Sequence, residues 1–136
     1  MKLPVIQSSP NYFPQDGFCP WCRRKIGEPH SFVELGGGAL LKDRKSKIAG
    51  PSDQMEGLLT LTWHGAHDDG EGEDRDFDAI TYLVEFVRGG FFGIYFCSTT
   101  CLRAFFNFCV DELDRDIATA RAATERSRLE EEQGQC

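Results

Sequence analysis

Hydrophobic and polar positions are patterned most clearly between residues 79 and 97, AITYLVEFVRGGFFGIYFC. Two runs of β-branched and aromatic residues flank Gly89-Gly90, the composition of a two-residue hairpin turn. With that turn the pattern predicts a hairpin in which Val87 faces Phe92, Glu85 faces Ile94 and Leu83 faces Phe96. The opposite face then carries Ile80, Tyr82, Val84, Phe86, Phe91 and Tyr95, with the Phe86 ring covering Gly93. Both faces are largely apolar. Either both are covered, or one is left for a partner.

After Cys97 the period changes. Leu102, Phe105, Phe106, Cys109, Val110, Leu113 and Ile117 recur at three- and four-residue spacing, which predicts an amphipathic helix with Ser98 as its N-cap. The following ATARAATERSRLEEE has good helix formers but little apolar face, so residues 118–136 read as a helical or frayed tail. Upstream, GLLTLTWHG (57–65) alternates like a strand, with Leu59, Leu61 and Trp63 on one face. SFVEL (31–35) reads as a short strand ended by Gly36-Gly37-Gly38. Residues 42–54 and 66–78 read as polar and acidic loops, and residues 1–17, with Pro4, Pro10, Pro14 and Gly17, as an irregular arm. The expected fold is α+β: one domain over residues 18–117, with a mostly antiparallel sheet packed on a long C-terminal helix.

A chain of 136 residues with 40% hydrophobic and 27% charged positions reads as a globular protein with a real core. No apolar run approaches the ~20 residues that span a bilayer, and MKLPVIQSSP has too short an apolar stretch for a signal peptide. The expected setting is the cytoplasm, where close cysteine pairs point to metal or catalysis before structural disulfides. The formal charge of −7 divides unevenly, +4 over residues 1–50 and −11 over residues 51–136. That balance argues against nucleic acid as the main partner. The basic clusters Arg23-Arg24-Lys25 and Lys42/Arg44/Lys45/Lys47 keep nucleic-acid binding as an alternative.

The chemistry lies in two cysteine pairs. Cys19 and Cys22, in FCPWCRRKIG, sit on a tight turn, and Cys97 and Cys101, in FCSTTC, sit where a strand ends and the helix begins. A Cys-x2-Cys turn lets both sulfurs reach one ion. The strand delivers Cys97 at its tip, and Cys101 points back from the first helical turn, where free N–H groups and the helix dipole favour thiolates. Four thiolates at about 2.3 Å make a closed tetrahedral zinc site with no position for water, hence structural Zn2+ and no catalysis. This arrangement resembles a treble-clef zinc finger: CPWCRRKIG is similar to the zinc knuckle, and YFCSTTCLRAFF to the strand-to-helix half of TRASH, MYM and FCS-like fingers. The resemblance covers residues 18–27 and 91–108 and implies ligands Cys19, Cys22, Cys97 and Cys101. In those families the pairs are separated by a few tens of residues at most, whereas 74 residues intervene here. Family members mostly mediate protein or nucleic-acid contacts.

CPWC followed by basic residues also resembles a glutaredoxin active site, so a thiol-disulfide oxidoreductase at Cys19/Cys22 is a further alternative. That enzyme needs its pair at the start of a long helix, and Gly27 and Pro29 interrupt one here. No Ser-His-Asp set, phosphate loop or carboxylate pair is evident, and the expectation is a non-enzyme. His64 and His67 beside Asp68 and Asp69 have ligand chemistry, but a solvated strand end explains them better. Tyr12, Phe13, Phe18 and Trp21 read as apolar cover for the sulfurs. The expected function is that of a small acidic zinc-binding protein acting through protein–protein interaction, of the inhibitor or immunity type. Its partner surface is expected at Tyr82, Phe86, Phe91 and Tyr95 on the hairpin, at Asp68, Asp69, Glu71 and Asp74 in the acidic loop, or at both. Homodimerisation through the hairpin face or the helix is a second way to bury a leftover apolar face.

Overall fold

Alternating and β-branched sequence gives strands, and the three-four pattern gives a single long helix. The computed structural model describes residues 1–7, 11–27, 31–38, 56–65 and 77–134. The elements are β1 (Tyr12–Phe13), β2 (Val33–Gly38), β3 (Glu56–Trp63), β4 (Ala79–Arg88), β5 (Phe91–Phe96) and α1 (Thr99–Gly134). The fold is α+β, as the pattern predicts. Within the stretch read as a helical or frayed tail, residues 118–134 belong to α1.

The strands form two sheets, one ordered β1-β5-β2 and the other β3-β4. This corrects the predicted hairpin. Gly89 and Gly90, with φ of 92° and 74°, do make the tight turn from β4 into β5. The two strands do not pair, because each edge of β5 already carries another strand. One edge pairs antiparallel with β2 from Phe91↔Gly38 to Phe96↔Val33. The other pairs in parallel with β1 at Gly93↔Tyr12 and Ile94↔Phe13. β4 therefore pairs with β3, and its second edge takes the N-terminal residues. Val5 N–H donates to Leu83 O at 2.9 Å, and Glu85 N–H to Ile6 O at 2.7 Å. Past this point Phe86 adopts φ 52°, a left-handed conformation costly for a bulky side chain.

β2 also continues through Gly36-Gly37-Gly38, where the sequence reading ended it. Glycine is a poor strand residue by itself, and here tertiary space decides. Gly37 lies directly opposite Phe92, whose ring crosses it; a Cβ at Gly37 would sit 2.5 Å from that ring.

The chain divides into two compact units. Unit one, Met1–Thr60 with Tyr82–Phe108, has Leu83, Val84, Val87, Ile94, Phe96 and Phe105 fully buried. The Phe96 and Phe105 rings meet at 5.1 Å, which seats the first turns of α1 on β5. Truncating such a phenylalanine costs about 3–5 kcal/mol. Unit two, Leu61–Thr81 with Cys109–Cys136, is built on Trp63, Ala79 and Ile117, with Phe77, Leu113 and Ala120 packed around them. Trp63 stacks on Phe77 at 5.2 Å, and Arg121 lies over the Phe77 ring. The one buried polar side chain described, Thr81, donates its hydroxyl to the Asp116 carboxylate at 2.5 Å. Cys109 is fully buried, and burial, with the Glu112 charge, pushes its thiol up to about 12, so it behaves as an inert core group.

The glycine run supplies a test. Gly37→Ala drives a methyl into the Phe92 ring and should cost about 1–3 kcal/mol, whereas Gly38→Ala, whose added carbon would meet Phe91 at an ordinary 3.6 Å, should stay close to wild type. Thermal or urea unfolding of the two variants measures the difference.

Candidate metal centre

The Cys19–Cys22 turn is held by its own backbone. Cys19 N–H donates to Arg24 O at 2.7 Å, Arg23 N–H to Cys19 O at 2.9 Å and Ile26 N–H to Gly17 O at 2.8 Å. Phe18 and Lys25 form an antiparallel bridge across it. To close the turn, Arg23 takes φ 64°, a region that favours glycine. Its side chain compensates locally. The guanidinium donates to Asp16 Oδ2 at 2.6 Å and lies over the Phe18 ring, while Asp16 Oδ1 accepts from Phe18 N–H. The hydrogen bond from Arg23, then that from Phe18 N–H, holds the Asp16 carboxyl below its usual range. The turn opens no helix.

The second pair comes from the end of β5 and the start of α1. Ser98 is the N-cap: its Oγ accepts from Cys101 N–H at 3.2 Å, and its carbonyl accepts from Leu102 N–H at 3.2 Å. Capping fixes the first helical turn, and with it the direction of Cys101. Trp21 meets Phe108 of the same helix edge-on at 6.1 Å. Tyr12 and Phe13, expected beside the turn, instead form β1.

These elements bring the four sulfurs together. Cys19, Cys22, Cys97 and Cys101 Sγ all lie within 4.8 Å of one another. Cys22 and Cys97 are 3.4 Å apart, and Cys97 and Cys101 are 3.7 Å apart. No pair described is a disulfide, whose S–S bond is about 2.05 Å. A tetrahedron with metal–sulfur bonds of about 2.3 Å has edges of about 3.8 Å, so the donor set suits a thiolate-binding metal ion. Cys19 and Cys101 are buried, Cys97 is half-buried and Cys22 is exposed.

The thiols are electrostatically unequal. Burial pushes Cys19 up, but N–H groups of Cys22, Cys97 and Trp21 point at its sulfur and bring it down to about 7. Cys97 is pushed up to about 12, first by the Cys22 sulfur beside it and then by burial. For Cys101 the Ser98 hydroxyl and then the Cys97 sulfur pull down, while burial and the Cys22 and Cys19 sulfurs leave it raised. One thiolate forms readily, and each further one is opposed by the charge already there. A divalent cation removes that opposition.

The other predicted residues fall elsewhere. Tyr82 and Phe86 lie exposed on β4. Phe91 and Tyr95 lie on β5, in the other sheet, partly covered by Tyr12 and Phe32. The four therefore do not share one hairpin face. Asp68, Asp69, Glu71, Asp74, His67 and the Lys42–Lys47 cluster lie outside the described residues. His64 Nδ1 is 3.0 Å from Asp78 Oδ1, both exposed. The roles of Asp16 and Arg23 escape sequence reading, because only the φ at position 23 reveals why they pair.

Ser98→Ala removes the acceptor for Cys101 N–H and should lower stability by about 1 kcal/mol, a shift of a few degrees in melting temperature. Ser98→Asp, which keeps a capping oxygen, should recover most of the loss in the same melt.

Compared with known protein families, curated proteins and solved structures, the chain matches none.

Proposed function

We propose that Cys19, Cys22, Cys97 and Cys101 hold a structural Zn2+ in a treble-clef-like site, and that the chain is a non-catalytic protein acting through a protein partner. The observation that carries the zinc reading is the convergence of four sulfurs, separated by 74 residues of chain, to within 4.8 Å. A tight turn, a strand tip and a capped first helical turn supply them, the arrangement a treble clef uses. With four thiolates the coordination shell is complete, so the ion polarises no substrate and its binding energy goes into folding. Zinc would tie the N-terminal turn to α1 across a loop of roughly eighty residues, whose closure is costly without a clip.

The partner reading is supported by exposed aromatic surface. Tyr82 and Phe86, 41% and 56% exposed, stand on β4 with no ring against them among the described residues. Large aromatic side chains left in water favour an interface.

Elemental analysis of the purified chain should find close to one zinc per molecule. Chelation, or Cys101→Ser, should lower the melting temperature sharply; metal-free protein with an unchanged melt would end the zinc reading. For the partner reading, Tyr82→Ser with Phe86→Ser should abolish binding of a partner recovered with the native chain, at unchanged melting temperature. Undiminished binding would remove β4 from the interface.

A further inference from the structure

The β1-β5-β2 sheet turns one face to solvent, and that face carries a cluster unused by the sulfur site. Register sets Tyr12 beside Gly93 and Gly93 beside Gly36, across all three strands. One step along, Glu34 stands opposite Tyr95. Side chains two positions apart on a strand share a face, so Phe91, Tyr95, Glu34 and Tyr12 are displayed together. Phe32, just before β2, packs against Tyr95.

The rings touch one another. Tyr12 stacks on Tyr95 at 6.0 Å and 22°, and Phe32 meets Tyr95 edge-on at 4.8 Å. Tyr12 also contacts Phe91 at 5.9 Å. Tyr12 and Phe32 remain 42% and 38% exposed. Two glycines leave a gap in this layer, and Glu34 enters it. A Cβ on Gly93 would lie 2.7 Å from Glu34 Oε1 and 3.0 Å from the Tyr95 hydroxyl oxygen; one on Gly36 would lie 3.2 Å from the same carboxylate oxygen. Burial, then the charge of Glu34 and the Tyr12 phenol, push the Tyr95 phenol above its usual range. No ion pair or hydrogen bond engages Glu34 among the described residues.

We propose that this face binds an arginine side chain of a partner protein, its guanidinium lying flat on the Tyr12–Tyr95 rings and forking onto Glu34. The inference deepens the binding-protein reading and rests on it, by naming the chemistry of the partner. Aromatic faces carry negative electrostatic potential, and a carboxylate beside them, with no cation on it among the described residues, selects a cation. Shape selects which cation. Enclosing a round ammonium needs rings standing apart around a hollow, whereas these rings pack on each other. A planar guanidinium needs only one open ring face and a carboxylate at its edge, and offers several N–H donors to that carboxylate.

The test titrates the full chain, followed by NMR, with N-acetyl-Gly-Arg-Gly amide and with the same peptide carrying citrulline, which keeps the shape and loses the charge. The arginine peptide should move the ring signals of Tyr12, Phe32 and Tyr95 and bind about tenfold tighter than the citrulline peptide. Glu34→Gln, at an exposed position, should keep the melting temperature and erase that difference. Phe32→Ala should weaken the arginine peptide alone. Equal binding of the two peptides, equal binding of a lysine peptide, or shifts outside this face would overturn the proposal. A native partner that holds Glu34→Gln as tightly as wild type would also overturn it, while leaving the binding-protein reading intact.

Discussion

A β-strand has two hydrogen-bonding edges, and the larger unit is organised by the fact that both edges of β5 are taken. β2 fills one along its whole length, and β1 fills part of the other. β4, although joined to β5 by the tightest of turns, is thereby sent to β3 and to the N-terminal residues around Ile6. The same occupancy makes β5 central, so its inner face contributes Ile94 and Phe96 to the core. Its C-terminal end is held in place, and Cys97 and the Ser98 cap follow directly from it. A rigid strand tip is what a cluster of thiols needs, because sulfur positions wrong by an ångström would not share an ion.

The sulfur cluster then draws on two kinds of local order. On the helix side, Ser98 satisfies an orphan N–H and fixes the first turn. On the other side, the backbone of residues 17–26 forms a tight turn that forces Arg23 into an unfavourable conformation. Asp16 and Phe18 engage the same arginine, so the turn carries its own compensation. The result is Cys19 drawn down to about 7 while Cys97 and Cys101 are held high, a distribution that isolated cysteines lack. Confining four such groups is electrostatically unfavourable for the all-thiolate state and favourable for that state around a cation.

Glycine has opposite uses on the two faces of the β5 sheet. On the inner face Gly37 makes room for the Phe92 ring. On the outer face Gly36 and Gly93 leave a gap that Glu34 and Tyr95 occupy. Neither use follows from turn chemistry, the usual reason for reading Gly36-Gly37-Gly38 as a strand end. The smaller unit shows the simpler rule: Leu113, Ile117 and Ala120, at helical spacing, pack with Trp63, Phe77 and Ala79.

The sequence alone determined the elements whose signals are local. The three-four spacing after Ser98 marked α1, alternation marked β3, a β-branched and aromatic run marked β4, and Gly89-Gly90 marked a tight turn. The two cysteine pairs at turn and helix-start spacing named the residues that converge. Strand partners could not be read, because an apolar face is equally content against any neighbour, and a two-residue turn does not oblige its strands to pair. Tertiary structure decided that β1, two residues long in a proline-rich segment, takes an edge of β5, and that β2 runs through three glycines. It also decided that Phe91 and Tyr95 keep company with Tyr12, Phe32 and Glu34, away from Tyr82 and Phe86. Each of these depends on which long-range neighbour fills a given edge or gap, and a local pattern carries no record of that.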